Sequence, residues 1–123
     1  MNEKIFQAVF DVVAPLVPKG WTKLVIYLEY GEKSYSFSFY YNEGEKYIKC
    51  FDIPGVLDET ILTAFREIDK IVSPERGKLK GELWSNMTMV VNSNGNMHTD
   101  FDYTDLSLGT YQYKKDWKKK YLV

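Results

Sequence analysis

The sequence predicts an α+β domain in which helices pack on an antiparallel sheet of about five strands. Two observations support this class. The spacing of apolar residues changes repeatedly between three or four, which is typical of helices, and two, which is typical of strands. Aromatic residues make up 16% of the chain, which suits pleated strands with a buried face. The length of 123 residues is enough for one core, so residues 1–123 are expected to form a single domain.

The first half of the chain predicts a helix followed by a three-stranded meander. A helical apolar stripe begins near Asn2 and should end at Pro15, because the residue before proline resists the helical region. Period-two alternation then predicts strands in WTKLVIYLEY, SYSFSFYY and EKYIKCF. Gly31-Glu32 and Asn42-Glu43-Gly44 supply the turns between them.

The second half predicts a helix, a hairpin and a last helix. The second helix should begin at Asp58 and end at Ser73-Pro74. Its predicted core stripe is Ile61, Leu62, Phe65, Ile68 and Ile71. The strands ELWSNMTMVV and MHTDFDY flank Asn94-Gly95, a strong hairpin signal. Tyr113, Trp117 and Tyr121 share one face of the final helix, so the predicted order is α-βββ-α-ββ-α.

Charge and cysteine content narrow the classes of function. The net charge is −1, but residues 111–123 carry five lysines and one aspartate, which leaves 11 basic and 16 acidic residues on residues 1–110. So few basic residues on one short helix make a nucleic-acid partner unexpected. The only cysteine, Cys50, excludes an intrachain disulfide and a cysteine-based zinc site, and favours a reducing compartment. No apolar run is long enough to cross a membrane, so a soluble, cytoplasmic protein without membrane contact is expected.

The segment NMHTDFDYTDL, residues 96–106, contains three aspartates and the only histidine of the chain within eight positions. Strand alternation places His98, Asp100 and Asp102 on one face, roughly 7 Å apart. Side chains on one strand do not flank a bond from opposite sides, which argues against acid/base catalysis. A metal site would need ligands beyond the single histidine, and no phosphate loop or nucleophile motif occurs. We therefore predict no metal and no cofactor.

A solvated strand face is the common outcome for such acids, and a half-buried one would gain from a basic partner. Two like charges 7 Å apart repel by about 2.4 kcal/mol at an effective dielectric of 20. Asp100, Asp102 and Asp105 are thus candidate electrostatic contacts for a partner. Glu29, Trp84 and Tyr103 are candidate acidic or aromatic anchors, because interface hot spots favour large aromatics. Trp84 and Tyr103 could instead be core residues, and Asp105 could cap a turn before the last helix.

Several segments together resemble the YezG-like family of bacterial immunity proteins. They are LVPKGW, WTKLVIYLEY, SFSFYY, the DIP of FDIPG, LWSNMTMVV, the Asn-Gly hairpin, DFDYTDL and the terminal Trp117 with Lys120-Tyr121-Leu122. The resemblance covers nearly the whole chain, and LWSNMT followed at hairpin distance by DFDY is its most specific part. The short, lysine-rich C-terminus departs from the family pattern.

The resemblance implies a non-catalytic cytoplasmic antitoxin. It would bind a cognate polymorphic toxin of the kind exported by type VII systems, with a nuclease domain as the expected partner. Two alternatives remain open at this stage. One is a small metal-dependent enzyme using His98, Asp100 and Asp102, and the other is a scaffold that forms a homodimer through its aromatic strand face.

Overall fold

A computed structural model describes residues 2–123. Three α-helices and five strands follow the predicted order α-βββ-α-ββ-α, which confirms the α+β class. The elements are α1 (Glu3–Val13), β1 (Lys23–Tyr30), β2 (Tyr35–Asn42), β3 (Tyr47–Lys49), α2 (Asp58–Gly77), β4 (Asn86–Asn92), β5 (Met97–Asp102) and α3 (Tyr111–Tyr121). Short 3₁₀ helices cover Ala14–Leu16 and Cys50–Asp52.

The five strands form one antiparallel sheet in the order β3-β2-β1-β4-β5. β1 lies at the centre, where Ile26 pairs with Phe39 of β2 and Met89 of β4. Within residues 2–123, β5 pairs with β4 alone and forms one edge of the sheet. The predicted Asn94-Gly95 hairpin joins these two strands, and Gly95 has φ 96°, a conformation that favours glycine. The meander and the hairpin are thereby both confirmed.

Helices cover both faces of the sheet. α1 and α2 pack on the face that carries Leu24, Ile26 and Leu28 of β1 and Phe37 and Phe39 of β2, which forms the main core. α3 packs on the opposite face through Trp117, which contacts a smaller cluster of Val25, Tyr27 and Tyr40. The predicted aromatic stripe of α3 is therefore a packing face. Both faces of β1 are buried as a result, which explains why its sequence is apolar at successive positions.

α2 departs from the prediction at its C-terminal end. It continues through Ser73-Pro74 to Gly77 instead of stopping there. A proline removes one helical N–H donor and its ring crowds the carbonyl four residues earlier, but the last turn gains a tertiary anchor because Arg76 Nε donates to Trp84 O at 2.8 Å. The core stripe also differs, since Leu62 is 46% exposed while Ala64 and Val72 are buried.

Two strand boundaries also differ from the prediction. β4 begins at Asn86, after the predicted Glu82, although Ser85 O still accepts the Tyr30 N–H at 2.9 Å. Cys50 begins a 3₁₀ helix where a strand was predicted. It is fully buried as a small core residue, and burial raises the pKa of its thiol. None of the helices in residues 2–123 combines the length and apolar character that a membrane crossing requires.

Candidate partner-binding surface

The alternation of β5 places its acids on one face of the sheet, as predicted, and that face is the one covered by α3. Asp100 pairs with Thr88 of β4, and Asp102 pairs with Asn86. Because paired residues of neighbouring strands point to the same face, these four side chains form two rows that continue to Tyr27 and Glu29 of β1. The rows run beneath α3.

Three hydrogen bonds fasten α3 to these rows. Tyr113 OH donates to Asp102 Oδ2 at 2.9 Å, and Tyr121 OH donates to Asp100 Oδ2 at 2.6 Å. Between them, Trp117 Nε1 donates to Thr88 Oγ1 at 2.9 Å. The three donors lie four residues apart on the helix and therefore share one face. The acids of β5 thus have a structural role that the sequence did not reveal, as acceptors for the tyrosines of α3.

The hydrogen bonds from the two tyrosines favour the ionised form of both carboxylates. The bond from Tyr121 is the main cause of a lowered pKa at Asp100, and His98 adds to it. Burial raises the pKa of Asp102, but hydrogen bonds from Thr104 and Tyr113 outweigh it and the net pKa is lowered. Burial, followed by the bonds to the acids, raises the pKa of Tyr113 and Tyr121. At neutral pH the pairs are a neutral phenol and a carboxylate.

The same contacts bear on the metal-dependent alternative. His98 Nε2 lies 2.7 Å from Asp100 Oδ1, so this pair is in direct contact. Asp102 instead directs Oδ1 to Thr104 and Oδ2 to Tyr113. Within residues 2–123 no three His, Cys, Asp or Glu side chains converge as a cation requires. The predicted set of His98, Asp100 and Asp102 is therefore not assembled around one point.

Two neighbouring hollows divide the predicted partner-binding residues. Asp100 and Asp102 line a hollow of about 410 Å³ between β5 and α3, together with Asp116 and Lys120. Glu29, Tyr103 and Asp105 line a cleft of about 680 Å³ at the adjacent end of the sheet, which we call the sheet-end cleft. Its lining includes Glu29, Glu32, Arg76, Tyr103 and Asp105. The structure thus brings five of the six predicted residues to two adjoining surfaces.

Local turns position the residues of the sheet-end cleft. Tyr103 is 48% exposed, so it lies at the surface and not in the core. Asp105 Oδ1 accepts the Ser107 N–H at 2.9 Å, which makes it the cap of a turn in the loop before α3. Hydrogen bonding to the side chain and then to the backbone of Ser107 lowers the pKa of Asp105. Glu29 accepts a hydrogen bond from Tyr27 OH. Glu29 and Asp105 are therefore oriented by contacts within the chain.

Trp84 is the sixth predicted residue, and its assignment as a contact anchor is wrong. Its side chain is 1% exposed and packs against Tyr30 and Phe101, with ring centroids 5.5 and 5.6 Å away. The guanidinium of Arg76 lies over its ring at 5.2 Å. The core supplies more contact area to a large aromatic than a surface does, and Trp84 supports the cleft from below.

Sequence reasoning missed other surface residues. Leu108 is 97% exposed in the segment that leads into α3, and Tyr111, the first residue of α3, is 80% exposed. Asp116 lines the hollow beside β5. The apolar residues of TDLSLGTY have neither the period of a strand nor that of a helix, which was the available signal that they lie on a loop.

The fold defines an α+β protein whose single antiparallel sheet lies between helices, with acidic side chains lining two hollows at one edge and end of that sheet. Comparison with known families gives a more specific assignment. The family model described as "Immunity protein YezG-like" matches residues 2–123, and the chain belongs to this family of immunity proteins. It is also similar to the Immunity protein YezG of Bacillus subtilis (strain 168), with 24% identity over 131 residues, covering 98% of this chain and 87% of that protein.

Proposed function

We propose that this protein is an antitoxin that binds a cognate toxin and neutralises it by forming a complex, without catalysing a reaction. The observation that carries the proposal is family membership over residues 2–123. The name of the Bacillus subtilis relative, an immunity protein, agrees with it. The geometry of the acids is compatible with binding, because they are held in fixed positions at the surface.

The proposed contact surface combines the sheet-end cleft with the acidic edge beside it. In the cleft, Glu29, Glu32 and Asp105 provide three carboxylates around the exposed ring of Tyr103, with Arg76 as the cation of the lining. Asp100 and Asp102 extend the negative charge along β5. A surface of this kind attracts a cationic partner and raises its association rate.

A nuclease domain is the toxin class that this charge favours. Nucleases present Lys and Arg side chains to the phosphates of their substrate. An inhibitor with an acidic and aromatic surface can be steered to those cations and cover them. The proposed site of action is the cytoplasm of the producing cell, where a reduced Cys50 is stable.

The test uses a purified toxin domain encoded beside this gene, inactivated by substitution. Asp105→Lys is the main variant, because Asp105 is exposed and its hydrogen bond is confined to its own loop. Glu67→Lys on α2 is the matched control, since it makes the same charge change at a weak surface ion pair with Lys70. We expect Asp105→Lys to slow association about three- to tenfold at low salt, and less at high salt.

Equal association rates for the two variants would remove Asp105 and the sheet-end cleft from the proposed surface. The double variant Asp100→Lys with Asp102→Lys is a less selective probe, because it also removes the acceptors of Tyr121 and Tyr113. The free energy of unfolding of this variant must therefore be measured as well, so that a loss of toxin affinity can be distinguished from a loss of folding. If no toxin domain encoded beside the gene binds the wild-type protein, the proposed function itself fails.

A nuclease assay with the active toxin domain tests the class of partner. We expect nucleic-acid cleavage that stops when the protein is added in equal amount. A toxin that binds tightly but cleaves no nucleic acid would keep the antitoxin proposal and refute the nuclease assignment. Sedimentation of the protein alone tests the homodimer alternative. That alternative predicts that the measured mass rises from one chain to two as the protein concentration increases.

A further inference from the structure

One edge of the sheet has unpaired backbone groups along a full strand. β5 is six residues long, whereas β3 at the opposite edge has only three. In an antiparallel pair, opposite residues alternate between hydrogen-bonded and non-hydrogen-bonded pairs. Asn92 N donates to Asn96 O, so this pair is hydrogen-bonded, and the even-numbered residues that follow in β5 also bond to β4. Met97, Thr99 and Phe101 therefore direct their N–H and C=O groups away from the sheet. Across residues 2–123, no other backbone or side-chain group bonds to these three.

Grooves flank this edge on both sides. On the α1 side, Glu3, Phe6 and Gln7 form a hollow of about 300 Å³ with Met97 and Thr99. The ring of Phe101 lies 6.2 Å from Phe6 on the same side and is 37% exposed. On the α3 side lies the acidic hollow of about 410 Å³. The alternating side chains of a strand added to β5 would enter these two grooves in turn.

The negative charge beside β5 determines which kind of strand can bind at this edge. An added strand would place every second side chain beside Asp100, Asp102 and Asp116, where Lys120 is the one cation of the described lining. Lys or Arg at those positions would be complementary, and apolar residues at the alternate positions would face Phe6 and Phe101. A second copy of β5 fits less well, because β5 contains no Lys or Arg. Antiparallel pairing centred on Asp100 or Phe101 places acids opposite acids, and pairing centred on Thr99 offers Asp100 only His98.

We propose that β5 receives a strand from the toxin, with basic side chains on the α3 side and apolar side chains on the α1 side. The proposal rests on the proposed antitoxin function and specifies how the toxin is recognised. Backbone hydrogen bonds from Met97, Thr99 and Phe101 would provide the pairing. The acids of β5 would provide the selectivity for a basic strand.

Amide hydrogen exchange measured by NMR on the full chain tests this directly. In the free protein, the amides of Thr99 and Phe101 should exchange quickly, while those of His98 and Asp100 are protected by β4. On addition of the inactivated toxin domain, exchange at Thr99 and Phe101 should slow at least about tenfold. The internal comparison between odd and even residues of one strand requires no variant.

A variant provides the second measurement. Thr99→Pro removes an N–H that points away from β4, and proline is tolerated at such edge positions. Thr99→Ala is its matched control, because it keeps the N–H. We expect toxin affinity to fall about tenfold or more for Thr99→Pro but not for Thr99→Ala, with β4–β5 amide protection retained in both.

The outcomes separate the two proposals. Toxin binding without any change in exchange at Thr99 and Phe101 overturns strand addition and leaves the antitoxin function intact. Absence of toxin binding overturns both. Protection that appears in the toxin-free protein as its concentration rises would assign the edge to a second copy and overturn the toxin as occupant.

Discussion

Replacing Tyr121 by Phe tests the role of the β5 acids in holding α3. The substitution deletes the phenol that donates to Asp100 Oδ2 at 2.6 Å and keeps the ring that packs on Trp117 at 5.4 Å. A hydrogen bond to a charged acceptor contributes about 1.5–3 kcal/mol. The Asp100 side chain is 39% exposed, so water competes for it, and we expect a loss of about 1 kcal/mol in the free energy of unfolding near neutral pH.

The pH dependence distinguishes this bond from a packing effect. The folded-state pKa of Asp100 is lowered from 3.8, mainly by the bond from Tyr121. The stabilisation is therefore present above pH 3.8 and is lost as the pH falls through the folded-state pKa. Accordingly, the difference in free energy of unfolding between wild type and Tyr121→Phe should be largest near neutral pH and should become smaller at acid pH.

Urea denaturation followed by tryptophan fluorescence, from about pH 7 to below pH 3, measures this difference. Tyr111→Phe is the matched control, since Tyr111 is 80% exposed at the start of the same helix. Tyr113→Phe should behave like Tyr121→Phe, because Tyr113 donates to Asp102. A Tyr121→Phe penalty that is constant across the pH series, or no larger than that of Tyr111→Phe, would refute the reasoning.

Three further predictions concern the core below the sheet-end cleft and the pH range of stability. Trp84→Ala should lower the free energy of unfolding by about 3–5 kcal/mol in the same assay, and a loss below 1 kcal/mol would contradict its burial. Arg76→Ala should cost about 1–2 kcal/mol by leaving Trp84 O without its donor, whereas a neutral result would show that the last turn of α2 needs no anchor. Burial, followed by a hydrogen bond to Asp69, raises the pKa of Tyr30 above 10.0, so stability should decline as the pH rises above 10.0. Tyr30→Phe should make that decline shallower, and an unchanged slope would contradict the role of Tyr30.

Local periodicity accounts for the part of the fold that the sequence predicted. The strands and helices around Ile26, Phe39 and Trp117 have clear apolar spacing, and Asn94-Gly95 marks the hairpin by its turn chemistry alone. Tertiary contacts account for what was missed. α2 extends past Pro74 because Arg76 finds an acceptor eight residues further on, a contact that no spacing rule contains.

At the candidate site, too, local periodicity predicted one part and tertiary contacts determined the rest. Strand alternation placed Asp100 and Asp102 on one face, and both lie there. Their partners could not be read from the same rule, because Tyr113 and Tyr121 belong to another element. Trp84 was misassigned because burial of a large aromatic depends on what packs over it, and Tyr30, Arg76 and Phe101 come from three different segments.

The packing role of the β5 acids supports a binding role for them and does not compete with it. Each carboxylate of Asp100 and Asp102 is held by two or more donors, which fix its position and lower its pKa. An anionic group that is already oriented loses little conformational entropy when a cation approaches. The tyrosines of α3 would therefore preorganise the acidic side of the edge at which the toxin strand is proposed to bind.

Tyr121→Phe should then weaken toxin binding about two- to fivefold at neutral pH, measured by calorimetry. Tyr111→Phe should not, although Tyr111 is the more exposed of the two. An equal effect of both substitutions would place the toxin at the start of α3 and not on the edge of the sheet.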